Sequence, residues 1–121
     1  VRDFMHEEMN PTIDFIWSGM GESPYQEREQ WTDGCNLLTI KPGVALTYDR
    51  NTFTEKAFKN KGYDVIHSSD FLRMVEEENK KPEDIHNTII TLSSSELSRA
   101  RGGTHCMSFP VARIPNSDLH V

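Results

Sequence analysis

The sequence predicts a small α/β fold with a mixed sheet, and three observations carry that prediction. Two β-rich runs, 37–40 and 44–48, flank Lys41-Pro42-Gly43; a short helical stripe with an N-terminal cap signal and a terminating glycine follows them; a third β-rich run, 63–67, comes after that glycine. These runs complete a strand-strand-helix-strand unit, which reads as part of a mixed sheet. With 121 residues, 36% hydrophobic and 26% charged, the chain suits one globular unit with a modest core.

Along the chain, Phe4, Met5 and Met9 keep helical spacing, and Asn10-Pro11 ends that run because proline disfavours helix in the residue before it. Thr12-Ile13-Asp14-Phe15-Ile16-Trp17 is rich in β-formers and predicts a strand, broken by Ser18-Gly19-Met20-Gly21 into a polar loop reaching about Gln30. Pro42 supplies the fixed φ and Gly43 the positive φ of a type II turn, so 37–48 reads as a hairpin. Thr52 and Glu55 have the spacing of a capping box, Phe53, Ala57 and Phe58 form the apolar stripe, and Gly62 terminates, which predicts a helix over 53–60. Ser69 can cap a second helix with the stripe Phe71, Met74 and Val75, and the charged stretch that follows reads as a solvated helix and turn. Thr88–Leu92 then predicts a strand, and 107–111 another after the glycine pair Gly102-Gly103.

That glycine pair directs attention to Cys106. Glycines let a loop pass close to a ligand, and a cysteine at the end of such a loop can present a thiolate, although free cysteine is also among the most buried residue types. Ser95-Glu96-Leu97-Ser98-Arg99-Ala100-Arg101-Gly102-Gly103-Thr104-His105-Cys106-Met107-Ser108 resembles the nucleophile loop of arginine deiminases, within the superfamily of guanidine-modifying enzymes. Glu27-Arg28-Glu29-Gln30-Trp31-Thr32-Asp33-Gly34-Cys35-Asn36, with Ile40-Lys41-Pro42-Gly43-Val44 and Tyr48-Asp49-Arg50-Asn51, resembles the segment before that loop in the same family. The run Gly-Gly-X-His-Cys alone is shared with agmatine deiminases. The charged helical stretch 69–88 is an insertion by comparison with the shorter members of the family resembled.

The resemblance implies the five-bladed β/α propeller of the pentein fold, of which residues 1–121 would be the C-terminal portion of one catalytic domain in a longer chain. It also implies hydrolysis of L-arginine to L-citrulline and ammonia through an amidino-cysteine intermediate on Cys106. Arg101 matches the loop arginine that approaches the substrate carboxylate, and Gly102, Gly103 and His105 belong to the nucleophile loop. The family's general acid/base histidine, its glutamate and its paired guanidinium-binding carboxylates have no match here, so the fragment is expected to be inactive alone. A cytoplasmic, homo-oligomeric full-length enzyme without a cofactor is the corresponding expectation.

Elementary chemistry bounds this reading. A free thiol is only a few per cent ionised at neutral pH, so a nucleophilic cysteine needs cationic or dipolar help. His105 is badly placed to supply it, because consecutive side chains in an extended segment face opposite ways, and a structural role is expected. Asp33 and Asn36 are expected to hold their own tight turn through side-chain to backbone hydrogen bonds, and Trp17 and Trp31 to serve as core or lid residues. Cys35, His86, His105 and Cys106 lack the spacing of a metal knuckle, and no metal is expected. The net charge of −6 leaves no basic stripe for nucleic acid or an anionic membrane, and no apolar run approaches the roughly 20 residues of a spanning helix. Agmatine deiminase, or a non-catalytic interaction domain docking through the acidic 70–84 stretch, are the alternatives.

Overall fold

The computed structural model describes residues 2–9, 11–32, 34–94 and 102–115. A short helix α1 (Arg2–Phe4) continues into a wider π turn over Met5–Met9, and a 3-10 turn at Ser18–Gly21 leads to α2 (Tyr25–Trp31). The sheet elements follow as β1 (Leu38–Lys41), β2 (Val44–Tyr48), α3 (Thr52–Asn60), β3 (Asp64–His67), α4 (Ser68–Glu76), a 3-10 turn Pro82–Asp84 and β4 (Thr88–Leu92).

The four strands lie in the order β1-β2-β4-β3. The hairpin forms as the Pro-Gly pair dictates: β1 pairs antiparallel with β2, Lys41 opposite Val44, and Gly43 takes φ +78°, which a Cβ would resist. After β2 the chain crosses by α3 to β3, leaving one strand position open, and α4 returns it so that β4 fills that position parallel to both neighbours. The sheet is therefore mixed.

Because β2 and β4 are covered on both faces, they read as nearly continuous apolar or threonine-rich runs rather than as alternating ones. Ala45 and Ile89 pack with Phe58 of α3, supported by Leu37, Tyr63 and Val65. On the opposite face Val44 and Ile90 pack with Ile85, supported by Leu46, Ile66 and Phe71 of α4. Burying side chains such as Phe58 or Ile89 stabilises the fold by about 1.5–3 kcal/mol each.

Several local expectations are corrected. Residues 13–17 form no strand, and Trp17 is 52% exposed; this stretch meets the core cluster through Ile16, while Phe15 and Trp17 stack on each other (6.1 Å between centroids). The expected polar loop to Gln30 contains α2, because Tyr25 stacks on Phe53 (3.9 Å) and Glu29 is drawn inward. The Thr52/Glu55 capping box does not form. Thr52 is already inside α3, and the carboxylate of Glu29, fully buried, accepts hydrogen bonds from Phe53 N (3.0 Å) and Thr54 N (3.2 Å), so a cap from another helix replaces the local one. Likewise α4 is capped by the His67 ring rather than by Ser69. Residues 107–111 are turn and coil, with Phe109 86% and Val111 94% exposed, and among the described residues no strand pairs with them. Trp31 is also exposed, so neither tryptophan is a core residue.

Candidate functional site

Three parallel strands end at one edge of the sheet, and the antiparallel β1 begins there. Ligands of open α/β sheets bind outside this carboxyl edge. The Gly102-Cys106 loop is fastened to it by Asn36, two residues ahead of β1.

The Asn36 side chain acts as a clamp. Its Oδ1 accepts from His105 N at 3.1 Å and Cys106 N at 3.3 Å, while its Nδ2 donates to Cys106 Sγ at 2.7 Å. Beneath it the buried Thr104 hydroxyl reaches two carbonyls, Asn36 O at 3.0 Å and Leu46 O at 2.9 Å, which ties the loop to β2 as well. Such close approach is possible only because residue 103 is glycine: a Cβ there would lie 2.5 Å from Asn36 Cβ and Cγ. Beyond the cysteine, Met107 N bonds Gly103 O (3.2 Å), Ser108 N bonds His105 O (3.1 Å), and Tyr48 Oη donates to Met107 Sδ (3.0 Å). The loop is thus wound into consecutive turns pinned at both ends.

Cys106 is exposed and reduced, as is Cys35. An amide N–H directed at sulfur favours the thiolate over the thiol, because only the anion gains a charge-assisted hydrogen bond. His105 lies on the other side, lining an open groove of about 700 Å³ with Leu38, Ile40, Phe109 and Arg113 between β1 and the C-terminal segment. Cys106 does not line that groove. Gly102 has φ +130°, a backbone conformation that favours glycine. Arg101, and Asp33 of the Trp-Thr-Asp-Gly turn, lie outside the described residues.

The same edge carries Asp49 after β2, His67 at the end of β3 and Ser93 after β4, with His67 Nε2 3.3 Å from Ser93 Oγ and 3.9 Å from Asp49 Oδ2. Asp49 and Glu29 also act on Glu55 in α3, whose carboxyl is raised above 4.5 chiefly by burial, against the pull of Lys59. Among the described residues no group of three His, Cys, Asp or Glu could hold a metal ion, and no helix is long and apolar enough to cross a membrane.

For Asn36 the structure adds a partner that sequence reasoning did not name. Among the described residues its side chain bonds the backbone of residues 105 and 106, some 70 positions away. The only signal within the sequence was an amide following an Asp-Gly turn, which names no distant partner.

Comparison with known proteins gives the family of the chain. The family model of arginine deiminase matches residues 3–113. Arginine deiminase of Limosilactobacillus reuteri is 38% identical over 103 residues, covering 85% of this chain and 19% of that protein. Arginine deiminase 1 of Staphylococcus epidermidis is 38% identical over 101 residues (84% and 19%), and arginine deiminase of Pediococcus pentosaceus is 36% identical over 114 residues (93% and 22%). The chain spans about a fifth of the length of these curated relatives. No solved structure matches.

Proposed function

This chain belongs to the arginine deiminase family, and from that premise we propose that it serves the hydrolysis of L-arginine to L-citrulline and ammonia, with Cys106 as the covalent nucleophile. The observation that carries the reading is the Asn36 amide donating to Cys106 Sγ at 2.7 Å while its oxygen holds the two adjoining backbone N–H groups. An amide donor at the sulfur, with the adjoining backbone held by the same side chain, supports a role for Cys106 as nucleophile.

In the proposed reaction the Cys106 thiolate adds to the central guanidinium carbon. The leaving nitrogen takes a proton and departs as ammonia, and an amidino-cysteine remains. Water then adds to the same carbon, loses a proton to the general base, and expels the thiolate as citrulline forms. Asn36 holds the sulfur through both steps, and Thr104 and Tyr48 keep the loop seated on β2. The general acid/base, and the carboxylates that grip the guanidinium, are proposed to come from outside these 121 residues, which alone are then inactive. Arg101 is proposed to meet the substrate's α-carboxylate through its planar guanidinium. The four-stranded sheet is read as part of one blade of a five-bladed β/α propeller, in a cytoplasmic, homo-oligomeric enzyme.

The test is citrulline release from arginine, and of the corresponding product from agmatine, by the complete polypeptide and its Cys106→Ala variant. Arginine turnover lost in the variant supports the proposal. Turnover of agmatine in preference moves the assignment to a decarboxylated guanidine, and turnover of neither leaves a non-catalytic interaction domain.

A further inference from the structure

Where β3 meets α4, a titratable ring takes the place of a helix cap. Asp64–His67 ends in extended conformation (φ −75°, ψ 149° at His67), and α4 starts at the next residue. Its orphan N–H at Ser69 is satisfied by His67 Nδ1 at 3.2 Å, with Ser69 Oγ 2.9 Å from the same nitrogen. A nitrogen that accepts must carry its lone pair, so the neutral ring holds its proton on Nε2. There it faces the Ser93 hydroxyl at 3.3 Å and, farther off, Asp49 Oδ2 at 3.9 Å.

We propose that His67 is a proton-sensitive cap that couples the start of α4 to the end of β4. Protonation puts a hydrogen on Nδ1, directly against the Ser69 N–H, and the cap is lost. The imidazolium is also repelled by the positive end of the helix and drawn to the Asp49 carboxylate, so the ring turns from Ser69 and Ser93 towards Asp49.

Among the described residues the charges around it are few. Asp49 faces it from the end of β2; on α4, Asp70 is engaged with Arg73 at 3.2 Å; β4 and the adjoining Ser93 and Ser94 are uncharged. His67 and Asp49 are each more than a third exposed, so protons reach the ring without unfolding. Phe71 remains packed on the core near Val44 and Ile90, so the opening is confined to the first turn of α4. The device adjoins Ser93, nine positions ahead of Gly102 in the sequence. It stands whether or not Cys106 is catalytic.

The experiment is nitrogen-15 and proton NMR of the full chain, reading the His67 ring nitrogens and the exchange protection of the Ser69 amide as pH is lowered through the His67 transition. The neutral ring is expected as the Nε2–H tautomer, and Ser69 protection is expected to fall by roughly five- to ten-fold as the ring protonates, the size of a lost N-cap. In His67→Asn, where a carboxamide oxygen caps without titrating, that protection is expected to stay level across the same range. An Nδ1–H tautomer in the neutral wild type, or Ser69 protection unchanged as the ring titrates, overturns the proposal. Both are wild-type measurements and decide the matter even if the variant does not fold.

Discussion

Replacing Asn36 by aspartate separates the two tasks of the clamp. Aspartate keeps an oxygen where His105 N and Cys106 N now donate at 3.1 and 3.3 Å, so the loop stays anchored. It replaces the Nδ2 donor, 2.7 Å from Cys106 Sγ, with an anionic oxygen. A hydrogen bond to a charged group contributes about 1.5–3 kcal/mol, and each pKa unit corresponds to about 1.4 kcal/mol. Losing that bond should therefore disfavour the thiolate relative to the thiol by about that energy. The exposure of Cys106 screens the added repulsion and favours the lower figure. At a fixed pH below both transitions the thiolate population falls about 10- to 100-fold, and alkylation falls with it. The assay is the rate of iodoacetamide modification of the Cys106 peptide against pH, read by mass spectrometry in a Cys35→Ser background so that one thiol reports. Superimposable profiles with and without the Asn36→Asp substitution would refute the claim that this amide activates the sulfur. A uniform loss of rate with an unshifted profile would instead locate its role in anchoring alone.

Gly103→Ala should also lower Cys106 alkylation, by roughly two- to ten-fold on the ~0.5–1.5 kcal/mol of one lost hydrogen bond, because its Cβ would meet Asn36 Cβ and Cγ at 2.5 Å and push the clamp aside; a thermal melt should change far less than the alkylation rate. Glu29→Ala should lower stability by about 2–4 kcal/mol in urea unfolding, since it strips a buried carboxylate cap from Phe53 N and Thr54 N and leaves a cavity, whereas Glu29→Gln, which keeps an acceptor, should cost less. Glu55 is raised above 4.5 by burial, so its protonated form is favoured in the fold and that contribution is lost as pH climbs through the raised transition. Glu55→Gln should therefore match the wild type near pH ~3 and melt at higher temperature near pH ~7.

The hairpin, the crossover and β4 were legible because each rests on local chemistry: Pro42-Gly43 fixes a turn, the helical stripe brings Phe58 into the core, and Thr88–Leu92 is a run that only a strand covered on both faces would need. What sequence could not yield was set by partners far along the chain. The cap of α3 comes from Glu29 and that of α4 from a histidine ring, so the local Ser/Thr signals pointed to the wrong residues. Residues 12–17 and 107–111 have β-forming composition but find no neighbouring strand among the described residues, and composition cannot supply one. At the site, the glycine pair identified the loop, while the clamp that holds it joins residues 36 and 106 and has no local signature.

The central claim, attack by Cys106 on a guanidinium carbon, is tested most directly by acid-quenching the complete polypeptide during turnover of arginine and mapping its peptides by mass spectrometry. The account predicts an adduct of arginine less ammonia on the peptide bearing Cys106, absent from Cys106→Ser, which also releases no citrulline. Citrulline formed at an undiminished rate with Cys106 replaced would contradict it.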